Sequence, residues 1–222
     1  MINFSRLKKE EILWLAKNRC RHHHTYLEHI KCAEREKKDF REVIGFLDIE
    51  ASNLNADFGI IFSWCIKKEG GKNICEVVSP EDLKNGYYDK NIIKKFNSEV
   101  RNFDRLVVYY GTDNRFDLPT LRTRAVFWKT DFPLYKSVKV TDVYPIIKRK
   151  FNLHRNRLET ACEFFGIACK KHRLKPEIWF KAQAGNKKAL NFILLHNKED
   201  TISLELLYNR VKDYANITDS SI

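Results

Sequence analysis

Four carboxylates and one imidazole in this chain have the types and spacing of a divalent-metal site. Asp48 and Glu50 stand two apart in VIGFLDIE, and alternate residues of a strand share a face. Two carboxylates side by side after an apolar run repel each other and call for a cation. Asp117, in NRFDLP, opens a predicted helix, where an acid on its own reads as an N-cap. His196 and Asp200 are spaced i, i+4 in HNKED, so they share one helix face. Mg²⁺ or Mn²⁺ prefers oxygen ligands of this kind. Two such ions about 4 Å apart can generate a hydroxide nucleophile and stabilise charge on a departing oxygen. Asp142, in VTDVY, ends a predicted strand and reads first as a helix cap. Asp57 and Asp104 read as loop acids.

A second cluster has different chemistry. CRHHHTYLEHIKC contains Cys20-x2-His23-x5-His29-x2-Cys32. Two ligand pairs with two-residue gaps have zinc-knuckle spacing. Thiolate and imidazole donors select Zn²⁺ over Mg²⁺. His22 and His24 are alternative ligands. The plainer reading is a basic helix with solvated histidines.

Taken in order, the acidic motifs resemble those of the DEDD superfamily of 3′–5′ exonucleases. FLDIE resembles the family's first motif, YYGTDNRFDLP its second and HNKED its third. The chain is most similar to the stand-alone branch related to the exonuclease domain of B-family DNA polymerases, over roughly residues 43–212. NRLETACEFFGI and the PEIW that follows also resemble that branch. Two departures stand out. The second motif often carries Asn four or five residues before its Asp, where this chain has Asp113 and Thr112. The third has His at the three-residue gap typical of the family's Tyr subgroup. The resemblance implies a catalytic set of Asp48, Glu50, Asp117, His196 and Asp200. Asp48 would bridge two metal ions, Glu50 and Asp200 would hold the nucleophile-side ion, and Asp117 the other. His196 is the candidate general base. In such a family the loop after the first motif, here Asn53-Leu54 and Phe58, approaches the terminal base. Phe58 itself reads slightly better as core.

The elements that must carry these residues follow from hydrophobic pattern. Strands are expected at 43–50, 59–66 and 74–78, with Gly70-Gly71 marking a hairpin. Helical periodicity follows at 91–103, a strand at 105–111, a helix at 118–128 and a short strand at 138–143. A basic helix near 144–151, a helix in LETACEFF capped by Asn156, and a long helix over 187–211 complete the set. The order β-β-β-α-β-α-β-α is that of an α/β, ribonuclease H-like mixed five-stranded sheet flanked by helices. A small helical leader, 1–41, carries the Cys/His cluster. The main domain is expected over 42–215, with a tail at 216–222.

Composition supports a nucleic-acid partner. Among 222 residues, 41 Lys and Arg face 29 Asp and Glu, a net charge of +12, which favours a polyanion. Arg149, Lys150, Arg155, Arg157, Lys170, Lys171, Arg173 and Lys175 could track a phosphate backbone. No apolar run is long enough to span a bilayer, and the N-terminus lacks a signal-peptide pattern, so a cytoplasmic protein is expected. Disulfides are then improbable, and Cys65, Cys75, Cys162 and Cys169 read as buried thiols. The expected function is single-stranded DNA or RNA exonucleolysis. The alternatives are an endonuclease on the same fold, cutting RNA–DNA hybrids or flaps, and a non-catalytic nucleic-acid-binding module.

Overall fold

Two units partition the chain, Met1–Val43 and Ile44–Ile222. A computed structural model describes residues 4, 7, 9–36, 42–112, 115–168, 173–214 and 220–221.

In the first unit, helix α1 (Lys9–Lys17) is followed by a tight turn closed by an Arg19–Thr25 bridge, then by helix α2 (Ile30–Glu36). Its apolar centre is Leu15 and Ala33, with Leu7, Tyr26 and Ile30 packed against them.

The second unit is built on a sheet in which β1 (Ile44–Ala51), β2 (Ile61–Lys68) and β3 (Asn73–Val77) form an antiparallel meander. Helix α3 (Pro80–Lys84) and helix α4 (Lys90–Glu99) lead to β4 (Arg105–Val108), which returns parallel to β1. Helix α5 (Asp117–Phe127) crosses to β5 (Lys139–Asp142), again parallel. Helices α6 (Val143–Lys150), α7 (Leu158–Phe164), α8 (Pro176–Gln183) and α9 (Lys187–Val211) follow, then a two-residue strand β6 (Ser220–Ser221). The strand order is β3-β2-β1-β4-β5-β6. This is the expected five-stranded mixed sheet with a short antiparallel edge added on β5. β1 is central, paired with β2 on one side and β4 on the other, and Gly45, Phe46, Leu47 and Ile49 are buried. One core layer joins Phe46 of β1 and Val107 of β4 to Ile146 and Ile147 of α6 and to Leu204, Leu207 and Tyr208 of α9.

Four local expectations change. Register places Cys65 of β2 directly opposite Cys75 of β3, and a disulfide joins them with their Cα atoms 4.1 Å apart. An argument from cellular compartment alone had made them thiols. Cys162 is a buried thiol as expected, and Cys169 lies outside the described residues. Helix α7 starts one residue later than an Asn156 cap implies: its N-cap is Arg157, and the Asn156 carbonyl instead accepts from Tyr109 Oη at 2.7 Å. Helices α3 and α8 were not expected.

Candidate active site

Strand β1 and helix α9 bring Glu50, His196 and Asp200 together, and Asp117 at the start of α5 lies near enough to Asp200 to feel its charge. Asp48 and Glu50 project from one face of β1 at its C-terminal half. Their partners across the β1–β2 ladder are Cys65 and Ser63. Helix α9 lies across β1 and β2 and is pinned beside Glu50 by Asn197, whose Nδ2 donates to Ser63 Oγ at 3.1 Å. Both Asn197 and Ser63 are fully buried. That anchor sits one residue from His196, and it fixes which face of α9 meets the sheet. His196 Nε2 lies 3.7 Å from Glu50 Oε1 and 3.6 Å from Asp200 Oδ2. Ligand atoms of Glu50, His196 and Asp200 all fall within 4.8 Å of one another.

Asp117 opens α5, but its carboxyl does not cap the helix, whose N-cap position is Phe116. Asp117 is 3% exposed, and its Oδ2 is buried without a hydrogen-bond partner. Burial pushes its pKa well above the ordinary 3.8, and the charges of Asp142 and Asp200 push it further. A carboxyl so placed resists ionisation unless a cation joins it. The donors suit a hard divalent ion: Glu50 and Asp200 converge from β1 and α9, and the buried Asp117 Oδ2 lacks a protein donor. Asp48 shares the β1 face with Glu50 and is half-buried.

Two residues outside the expected set shape this centre. Asp142 does cap α6, accepting from Tyr144 N at 2.9 Å. It also accepts from Tyr110 N, Gly111 N, Thr112 N, Thr112 Oγ1 and Arg115 Nη1 at 2.9–3.3 Å. One carboxylate therefore holds the β4–α5 loop that delivers Asp117. Gly111 in that loop is required by space: a Cβ there would collide with Asp117 Oδ2 and lie 2.8 Å from Val108 Cβ. The sequence signal for both was a Gly just past a strand and an acid at the end of the next.

The loop after β1 carries Leu54 and Phe58, 81% and 80% exposed. Phe58 is therefore not core: the loop's backbone turns back through Ser52 and Ile60, and the ring is left outside. Asn53 is exposed, and its Oδ1 accepts from Asn55 N at 2.9 Å. Arg173 is exposed. Lys170, Lys171, Asp113 and Asn114 lie outside the described residues.

In the first unit, the atoms that converge belong to Cys20, His22, His29 and Cys32. His23 is not among them. It occupies the left-handed position of the turn, φ 65°.

Comparison with known proteins agrees with the fold. Among solved structures, the chain is similar to the family B DNA polymerase from the hyperthermophilic archaeon Pyrobaculum calidifontis, with a TM-score of 0.58 and 18% identity. The similarity covers 76% of this chain and 25% of that one, so the chain spans about a quarter of the polymerase's length. No curated protein matches. The RNase_H superfamily profile matches residues 45–212. With most of its length inside that match, the chain belongs to the ribonuclease H superfamily.

Proposed function

We propose that this protein is a divalent-metal-dependent nuclease, a 3′–5′ exonuclease that hydrolyses single-stranded DNA or RNA. The observation that carries this reading is the convergence of Glu50, His196 and Asp200 within 4.8 Å, beside an Asp117 whose buried oxygen lacks a donor.

Asp48, Glu50, Asp117 and Asp200 would hold two Mg²⁺ or Mn²⁺ ions, which supply a nucleophile at neutral pH and stabilise charge on the departing oxygen. His196 takes the proton from the attacking water through Nε2. That nitrogen lies 3.7 Å from Glu50 Oε1 and 3.6 Å from Asp200 Oδ2, too far for either carboxylate to hold it in a hydrogen bond. Its Nδ1 is buried without a protein hydrogen bond. Asp142 fixes the loop before Asp117, so that carboxyl is positioned before substrate arrives. Leu54 and Phe58 offer an apolar wedge and a stacking ring to a terminal base. Exposed cations along 148–175 would follow the phosphates.

The test is a time course on 5′-labelled DNA and RNA oligomers with Mg²⁺ or Mn²⁺, alongside a circular single strand. Stepwise shortening from the 3′ end with the circle intact is the expected result. Cleavage of the circle would make the enzyme an endonuclease. Binding without hydrolysis under any metal would make it a binding module.

A further inference from the structure

We propose that the first unit binds one structural zinc ion through Cys20 Sγ, His22 Nδ1, His29 Nδ1 and Cys32 Sγ, with His23 outside the coordination sphere. This site is separate from the carboxylate centre and does not depend on the activity proposed for it.

The distances carry the inference. Zn–S bonds of about 2.3 Å and Zn–N bonds of about 2.05 Å at tetrahedral angles put sulfur and nitrogen about 3.6 Å apart. The sulfur–nitrogen separations here are 3.8 Å for Cys20–His22, 3.6 Å for Cys20–His29 and 3.3 Å for Cys32–His22. Their scatter straddles the edge of that tetrahedron. All four donor atoms lie within 4.8 Å of one another, so one ion can reach all of them.

The backbone explains how. Cys20 and His22 come from one tight turn, closed by Cys20 N donating to His24 O at 2.9 Å and His23 N donating to Cys20 O at 2.9 Å. His29 and Cys32 come from the start of α2, where Cys32 N donates to His29 O at 2.9 Å. Each element supplies one sulfur and one nitrogen. At φ 65°, His23 is the residue that reverses the turn, and its carbonyl accepts from Arg19 Nη1 at 2.6 Å. The spacing C-x-H therefore replaces the C-x2-H that sequence alone favours.

Charge and donor type select the ion. Two thiolates neutralise a dication, and two neutral imidazoles complete a soft four-donor set that disfavours Mg²⁺. Four protein ligands leave no open position, which makes the role structural. Such an ion would add to a small centre: among the described residues it is Leu15 and Ala33 with Leu7, Tyr26 and Ile30 packed against them, and small cores gain most from a structural metal.

The full-length protein, purified without chelators, is assayed by elemental analysis as wild type, His22→Ala and His23→Ala. About one zinc per chain is expected in wild type and His23→Ala, and at least a tenfold loss in His22→Ala. Cobalt substitution of the wild-type chain gives a second reading if His22→Ala fails to fold. Intense tetrahedral bands with thiolate-to-cobalt charge transfer support the site, and a weak octahedral spectrum overturns it. Wild-type protein without zinc, or with Cys20 and Cys32 joined as a disulfide, overturns the proposal. Zinc kept by His22→Ala and lost by His23→Ala overturns the ligand set.

Discussion

Asp117 is held 3% exposed with an oxygen that no protein donor reaches, so its ionisation works against folding. Its pKa is raised by burial first, then by Asp142 and Asp200. Between 3.8 and the raised value, the folded state keeps a proton that the unfolded state has released. Metal-free protein therefore loses stability as pH rises through that window, and the loss is absent below 3.8. Asp117→Asn should flatten that slope and raise the neutral-pH Tm of chelated protein, while abolishing hydrolysis. Thermal melts of chelated protein across a pH series check this, and an unchanged slope would mean that Asp117 titrates normally. Asp48→Asn should abolish turnover while sparing oligonucleotide binding. Retention of a tenth of wild-type turnover, a loss of only about 1.4 kcal/mol, would be too little for a lost metal ligand. His196→Ala should lower turnover roughly a hundredfold or more. An unaltered rate would reduce His196 to a packing residue. The acid pairs were legible because strand and helix periods fix which residues share a face. The His22-for-His23 exchange was not, because it depends on which residue of a turn takes positive φ. The exposure of Phe58 was not legible either, since an aromatic near a strand reads equally well as core.

Element placement rests on a few buried polar locks. Asp89 stands at the N-cap position of α4, where its side chain makes no cap hydrogen bond, and is fully buried. It accepts from Arg124 Nε and Nη2 at 2.7 Å, from Trp128 Nε1 at 2.6 Å and from Ile61 N at 3.0 Å. One carboxylate thus ties α4, α5 and the start of β2. Arg124 Nη1 continues to Ala56 O at 3.3 Å, in the loop that carries Leu54 and Phe58. Asp89→Ala leaves a buried guanidinium unpaired and should cost about 3–5 kcal/mol, on the order of 10 °C in Tm for a chain of this size. At temperatures where the variant stays folded, KM for oligonucleotide should rise more than kcat falls, because the loop loosens while the carboxylate centre keeps its own anchors. A fall in kcat alone would disconnect the loop from Asp89. The long elements were legible from pattern: the apolar runs of β1 and β2 and the helical period of α9 lie where expected. Two short helices, α3 and α8, were not, although they had signals, whereas α6 and α7 of similar length were. Ser79 precedes Pro80 and accepts from Asp82 N at 2.9 Å, and Pro176 opens α8. Helices this short give periodicity little to show, so their recognition depends on flanking signals. Asp89 was missed because its partners lie 28, 35 and 39 residues away, which no local pattern encodes.

At the scale of the whole molecule, the net charge of +12 was readable at once, but its use depends on which cations face outward. Lys148, Arg149 and Lys150 at the end of α6, Arg155 and Arg157 before α7, and Arg173 and Lys175 before α8 are all exposed. Among the described residues no helix is long and apolar enough to cross a membrane. On the function proposed above, these cations would line a phosphate track. Each phosphate neutralised on a single strand adds about 0.7 to the slope of log K against log salt. Substituting Lys170, Lys171 and Arg173 together by Gln should then lower the slope by about 2 and weaken binding at low salt. Turnover at saturating oligonucleotide should change little, because these residues lie outside the carboxylate set. Fluorescence anisotropy of a labelled single strand over a salt series measures the slope directly. An unchanged slope would place the track elsewhere. A reduced slope with kcat collapsing would instead put one of the three cations at the scissile phosphate.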